Sequence, residues 1–232
     1  MLMFVMSQFL ETQKGFRDSF SHTGEKLFEH CLGGCFFHFS QAVMRAVQRL
    51  GLSTKYGNDH AFRLRIGKAR ALAFLPVVDV LSGWYDFVGE FEPDERCFVD
   101  YMHKVWIGEP ASNRRRAKAP DFALDMWNVH DRALEKKMLT NNNAEAFHRW
   151  HKQLQPNTHP SIPTAIESLQ AQTRISHLDC TKVGLGLTRQ ESTITQSRTA
   201  AVSQILLRYA QNLDRKECLD AIAQLYRTDN GH

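Results

Sequence analysis

The chain has 232 residues, 43% of them apolar, and a formal net charge of +4 from 29 lysines and arginines against 25 aspartates and glutamates. That is enough apolar material to bury a core, as one domain or one domain with an appended helical part, and it excludes an intrinsically disordered chain. The charges are too evenly balanced for overall charge to call for nucleic acid, so such a role has to come from local patches.

The five cysteines, Cys31, Cys35, Cys97, Cys180 and Cys218, form an odd and irregularly spaced set. No cationic leader precedes a long apolar stretch, so the expected compartment is reducing, nuclear or cytoplasmic, and not secretory. No run approaches the ~20 apolar residues that span a bilayer, and no membrane is expected.

Met3-Phe4-Val5-Met6 reads as a strand that opens the chain without a polar leader or cap, which suggests a fragment; a short edge strand of a complete domain is the plainer alternative. Phe9 to Phe20 reads as a short helix ending in Ser21-His22-Thr23-Gly24. Leu32 to Phe37 reads as a second buried strand. Ser40 to Leu50 follows as a helix with Ala42, Val43, Ala46, Val47 and Leu50 on one face, stopped by Gly51. From Asp59 to Asn113 the apolar residues keep helical spacing: Phe62, Ile66, Ala69 and Ala73, then Phe98, Met102 and Val105 with Tyr101 and Trp106 beside them. Pro76 divides this region into two or three helices, and Asp94-Glu95 after Pro93 supplies an acidic first turn for the third.

Gly108 to Pro120 is the clearest loop and the most basic stretch, carrying Arg114-Arg115-Arg116-Ala117-Lys118. One helix is expected from Asp121 through Trp127 and Val129 toward Lys137. Asn141 to Asn143 then caps a helix from Ala144 to Leu154. Pro156 to Pro163 reads as a turn. Thr164 to Ile175, Thr193 to Leu213 and Lys216 to Tyr226 read as helices, the last two as a hairpin. The glycines of Val183-Gly184-Leu185-Gly186-Leu187 suggest a hinge before them.

Two stretches carry most of the chemical signal. Gly34-Cys35-Phe36-Phe37-His38-Phe39-Ser40-Gln41 is an apolar run with a Cys-x2-His pair, and Thr140-Asn141-Asn142-Asn143-Ala144-Glu145-Ala146-Phe147-His148 is a capped helix start with one carboxylate. His30, Cys31, Cys35 and His38 could ligate zinc. In a continuous strand, however, Cys35 and His38 point to opposite faces, and ligands so crowded leave no room for a separated knuckle and helix. Cys35 as a small buried hydrophobe and His38 as a hydrogen-bonding helix-start residue is the favoured reading.

Glu145 in a first helical turn is favoured by the exposed amides, with Arg149 and Lys152 on nearby faces within reach of a phosphate; an ordinary solvated Glu is the alternative. Arg63, Arg65, Lys68 and Arg70 make either a DNA-backbone track or, preferably, the solvated face of an amphipathic helix. For Arg114, Arg115, Arg116 and Lys118, phosphate contact and a plain charged loop weigh equally.

Further pieces follow in order: Leu72-Ala73-Phe74-Leu75-Pro76, Tyr101 with Trp106-Ile107-Gly108, Trp127-Asn128-Val129, and His159-Pro160-Ser161-Ile162. With the two stretches above, from about Met3 to about Ser176, the sequence resembles the later half of a Mutator-like element (MULE) transposase domain. The resemblance implies a ribonuclease H-like core interrupted by a helical insertion, in which three carboxylates hold two metal ions, Mg2+ in intact relatives, that cut and join DNA. In that family the Cys-x2-His motif closes a strand and opens the next helix. The third carboxylate falls on Glu145. Gln8 stands where the second Asp is expected, Glu11 lies about a helical turn too far along to replace it, and the first Asp would precede Met1. An uncharged amide holds Mg2+ weakly, so no metal cofactor is expected for this chain and Glu145 is a catalytic remnant. His148 and His151 are expected to face phosphate or to pack.

The expected fold is mainly α with a small β remnant. Residues 1–50 make a partial ribonuclease H-like core, 51–138 the helical insertion, 139–180 the Glu-bearing helix and the end of the core, and 181–232 a C-terminal helical tail forming a hairpin. The expected function is that of a truncated, catalytically inactive, transposase-derived protein that contacts DNA through Arg114, Arg115, Arg116, Lys118, His148, Arg149 and Lys152. Two alternatives are a non-enzymatic helical module that binds protein partners or a second copy, and an active DNA transposase if an upstream segment supplies the missing strands.

Overall fold

The computed structural model describes residues 35–109, 116–137, 139, 161–186 and 193–226. The chain divides into two compact units, Met1–Thr140 with Arg198–His232, and Asn141–Ser197. The described residues are predominantly helical, and their β pairing is one isolated antiparallel bridge, Glu109 with Lys118. The mainly α expectation holds at that level. The strand expected over Met3–Met6 and the helices expected over Phe9–Phe20 and Ala144–Leu154 lie outside the described residues.

Helix α1 spans Phe36–Arg49 and buries Phe36, Phe39, Ser40, Val43, Ala46 and Val47. Those positions recur every three or four residues, a helical stripe. Phe36 and Phe37 therefore belong to the helix and not to the strand expected over Leu32–Phe37; a short apolar run fits either element, and here Cys35, with extended backbone, is the boundary. The helix ends as expected at Gly51, whose φ of +74° places it in the left-handed region. The amides of Leu52 and Gly51 donate to the carbonyls of Val47 and Gln48 at 3.0 and 3.1 Å, the Schellman pattern.

A short helix, α2, runs over Ser53–Asn58, and α3 over His60–Ala71. Asp59 caps α3 by accepting from the amides of Ala61 and Phe62 at 2.8 and 3.1 Å. Phe62, Ile66 and Ala69 are buried along α3 as expected, but Arg65, Lys68 and Arg70 are buried too. These cations form neither a phosphate track nor a solvated face. Arg65 meets Glu95 at 2.6 Å, Lys68 meets Asp220 at 3.1 Å and Glu90 at 3.3 Å, and Arg70 donates to Ser40 Oγ at 2.6 Å. Arg63 donates to the carbonyls of Tyr56 and Gly57. The helix is enclosed on several sides, so polar positions that alternate with apolar ones also face neighbours.

A 3-10 turn at Leu72–Phe74 ends in extended Leu75 before Pro76, and α4 begins beyond it at Val77 and runs to Tyr85. Proline disfavours helical backbone in the residue preceding it, so the break falls where expected. Helix α4 crosses this segment so closely that a Cβ on Gly83 would lie 2.5 Å from Leu75 Cδ1. Two 3-10 turns, Val88–Glu90 and Pro93–Glu95, lead into α5, Arg96–Met102, which widens into a π-helix over His103–Ile107. Glu92 and Glu95 form a reciprocal capping box at the entry.

Beyond the basic loop, α6 (Leu124–Trp127) and α7 (His130–Leu134) replace the single helix expected over Asp121–Lys137. Asn128 causes the break: its backbone is extended, its Oδ1 accepts from the amide of His130, and its Nδ2 donates to the Leu75 carbonyl at 2.7 Å. In the second unit α8 spans Ile162–Gly184, longer at both ends than the expected Thr164–Ile175. Pro163 falls in its first turn, where the missing amide costs nothing, so the turn expected up to Pro163 ends earlier. Gly184 is still helical, and Gly186, at φ +74°, follows the helix end.

The expected pair of final helices is present as α9, Thr193–Ala210, and α10, Arg215–Leu225. Val202, Leu206, Leu219 and Ile222 join the same core as Phe39, Phe62, Trp84 and Trp106. Helices α10 and α3 approach closely at Gly67, where an added Cβ would stand 3.0 Å from Ala223 Cβ. Among the described residues no helix is long and apolar enough to cross a membrane.

Glu95 is fully buried and bonded to both Arg65 and Lys55. Glu95→Gln leaves those cations short of a counter-charge and is expected to lower the unfolding free energy by about 3 kcal/mol, read by urea denaturation. Asp94→Asn, at an exposed position, should cost clearly less.

Candidate functional site

Four of the pieces, at residues 35–42, 72–76, 101–108 and 127–129, meet around one aromatic junction. Phe39 of α1 stacks on Trp127 of α6 with ring centroids 4.5 Å apart, and Trp106 of the π-helix meets Phe39 edge-on at 4.9 Å. Trp106 donates to the Tyr101 hydroxyl at 2.9 Å, and that hydroxyl lies 3.4 Å from the Ala42 carbonyl. Val129 donates its amide to the Ala73 carbonyl at 2.7 Å, beside the Asn128 bond to Leu75. Phe36 packs on Phe74 at 4.7 Å, and its amide donates to the Leu139 carbonyl at 2.9 Å. That bond brings the residue before Thr140 to the start of α1, beside Cys35 and His38.

The basic loop is anchored from this junction. Its two stems touch where the rings of Trp106 and Phe122 pack, tilted to one another, at 4.9 Å. In a π-helix carbonyls bond one residue farther along, and here the Lys104 and Val105 carbonyls accept from the amides of Asp121 and Phe122, both at 3.0 Å. Glu109 and Lys118 exchange two backbone bonds at 2.9 Å. Gly108, at φ +87° and ψ 170°, makes the reversal; a Cβ there would lie 2.8 Å from the Lys118 carbonyl oxygen. Arg116 and Lys118 are exposed, and the Lys118 ammonium stands 3.7 Å from Glu109 across solvent. A clamped base thus presents cations to solvent with little internal pairing. The stems were visible in the sequence as Trp106-Ile107-Gly108, but the pairing of the helix's last carbonyls with the amides of Asp121 and Phe122 leaves no periodic trace in it.

Of the other expected site residues, Gln8, Arg114, Arg115, Glu145, His148, Arg149 and Lys152 lie outside the described residues. Cys35 and His38 are half-buried at the opening of α1, a helical turn apart. The strand geometry that set them on opposite faces therefore does not apply; His30 and Cys31 are outside the described residues. Cys218 is buried in α10, and desolvation pushes its thiol up to about 12, which leaves it a packing residue.

Among the described residues, one group of acids is close enough to hold a cation: Glu92, Asp94 and Glu95. Lys55 already occupies its centre, 2.7 Å from Glu92, 2.9 Å from Asp94 and 2.9 Å from Glu95. Its hydrogen bond to Glu92, and then that to Asp94, hold the ammonium well above the ordinary lysine range, and the Lys55 bond in turn depresses the Asp94 carboxyl. A divalent ion would have to displace Lys55 and meet Arg65 behind it. These acids fit an ion-pair clasp and do not fit the Mg2+ site of an intact transposase.

Compared with known protein families, with curated proteins and with solved structures, the chain gives no significant match. The functional reading rests on the residues themselves.

If the loop is clamped as described, Gly108→Ala combines a conformation reserved for glycine with a backbone clash and should cost about 2–3 kcal/mol in urea unfolding. Gly51→Ala meets no atom within 4 Å, so only its left-handed strain, about 1 kcal/mol, should appear. Equal losses at the two sites would contradict the clamp.

Proposed function

We propose that this chain is a MULE-type transposase-derived protein that contacts duplex DNA through phosphate charges and does not by itself catalyse strand transfer. The observation that carries the reading is the meeting of the resemblance-bearing pieces. Phe39, Trp106 and Trp127 pack on one another, Asn128 bonds to the Leu75 carbonyl, and the Leu139 carbonyl accepts from the Phe36 amide at the start of α1. Residues that recur in order for the sake of one framework should converge in this way. Cys35 at the opening of a helix also agrees with the place of the Cys-x2-His motif in that family.

Loss of catalysis follows from charge. Gln8, an uncharged amide, stands where the resemblance expects an Asp, so the set of three carboxylates that would share two divalent ions is broken at that position. What remains suited to DNA is the run of cations Arg114, Arg115, Arg116 and Lys118, of which Arg116 and Lys118 are exposed, with His148, Arg149 and Lys152 following Glu145 in the sequence. Side chains of this kind bond phosphate oxygens and carry no base preference of their own, so affinity without strong sequence specificity is the expected mode.

A second reading, a helical protein-interaction module, is favoured by one observation. Val77, Val78, Leu81 and Tyr85 stand exposed on one face of α4, Val78 at 85%. Titration of labelled duplex DNA by fluorescence anisotropy at several salt concentrations separates the two. The DNA reading expects binding at low salt that weakens as salt rises, and a logarithmic salt slope smaller by roughly 2–3 when Arg114, Arg115 and Arg116 are replaced by Ala. Absence of binding at low salt, or binding indifferent to the substitutions, overturns it and leaves the interaction module.

A further inference from the structure

Trp84 on α4 is fully buried, and an indole nitrogen only donates, so burial requires an acceptor. The acceptor is a histidine: Trp84 Nε1 donates to His103 Nε2 at 2.8 Å, with the rings 5.7 Å apart and nearly perpendicular. Nε2 accepts only while it carries no proton, which fixes the neutral ring with its hydrogen on Nδ1. Protonation would turn this acceptor into a donor facing a donor.

His103 is also the first residue of the π-helix that holds the basic loop. Its carbonyl accepts from the Gly108 amide at 2.7 Å, and the next two carbonyls, of Lys104 and Val105, hold Asp121 and Phe122. One imidazole therefore ties α4 to the short segment from which the loop base hangs. The groups around it are Arg96 and Asp100 on its own helix, Glu109 at the loop base, and Tyr85 on α4 with its ring 6.4 Å away.

We propose that His103 is a proton-operated latch on the loop base: neutral, it locks the π-helix to α4, and protonated, it lets go of Trp84 and loosens the clamp made by the amides of Gly108, Lys118, Asp121 and Phe122. A proton from solvent adds to Nε2, the Trp84 bond is lost, and the buried indole is left without its acceptor. Burial foremost, and then Arg96, hold the ring below its ordinary value of 6.5, with Asp100 and Glu109 opposing. Because the folded value is the lower one, the unfolded chain binds the proton more readily. The latch thus contributes its full stability above about pH 6.5 and loses it as pH falls through the folded value. The latch is independent of what the loop binds.

Amide hydrogen exchange on the full chain tests it, at about pH 7.5 and at a pH below the His103 midpoint read from its own ring resonances by NMR, after correction for the intrinsic effect of pH. Protection of the Lys118, Asp121 and Phe122 amides should fall roughly tenfold at the lower pH, the factor that corresponds to one lost hydrogen bond. Protection within α1 should stay unchanged. In His103→Gln the amide oxygen accepts from Trp84 at any pH, so the fall should vanish. Equal protection at both pH values in the wild type, or the same fall in His103→Gln, overturns the latch. Should that variant not fold, the wild-type NMR titration decides. A Trp84 indole resonance that moves with the midpoint of loop deprotection supports the latch, and one that does not titrate overturns it.

Discussion

The stacking of Phe39 on Trp127, with Trp106 against its edge, is the contact on which the rest of the first unit depends. It joins α1, the π-helix and α6, which local sequence cannot hold together. Each buried ring contributes about 1.5–3 kcal/mol from the apolar surface removed from water, and each well-set aromatic pair roughly 0.5–1.5 kcal/mol more. Both stems of the basic loop leave from this junction, so its packing also fixes where the loop cations stand. Trp127 Nε1 is buried with no hydrogen-bond partner among the described residues, a desolvation cost that the packing of its ring has to offset.

Much of the helical framework was legible in the sequence, because the buried faces repeat every three or four residues and the stops are chemically marked. Gly51 and Pro76 act as read, and Phe62, Ile66, Met102, Val202 and Ile222 are buried as read, whereas Asp94 and Glu95 fall in a 3-10 turn ahead of α5, whose own first turn carries no acid. Failures came where a neighbour overrides a local pattern. Phe36 and Phe37 sit in an apolar run that fits strand or helix, and the α1 stripe decides for helix. Asn128 interrupts a helical pattern because Leu75, distant in sequence, supplies an acceptor for its amide. Arg65, Lys68 and Arg70 read as surface because their partners, Glu95, Asp220 and Ser40, come from three other segments. The candidate site was legible as a motif order and a basic loop. The clamp beneath it was not, since π-helical carbonyls and cross-segment amides leave no periodic trace.

Charge is partitioned between these features in a way that the nearly neutral total conceals. Arg65, Lys68 and Arg70 of α3 are engaged inside the fold by Glu95, Asp220, Glu90 and the Ser40 hydroxyl, whereas Arg116 and Lys118 project from a loop whose backbone bonds are satisfied at its base. A phosphate backbone would meet the second set and not the first. The acids at Glu92, Asp94 and Glu95 are likewise compensated, by Lys55 and Arg65, which removes them as a source of the metal chemistry that an intact transposase needs. The proposed reading rests on this division: cations paired inside the fold, exposed cations at the loop, and Gln8 where the resemblance expects an Asp.

A double-mutant cycle between Phe39 and Trp127, each replaced by Ala alone and together and followed by urea unfolding, addresses the junction most directly. Dependence on their direct stacking predicts a coupling of about 1 kcal/mol, the two losses together being smaller than their sum. Losses that add to within about 0.3 kcal/mol would mean that the rings are not packed on one another and that the junction is not what holds the segments together.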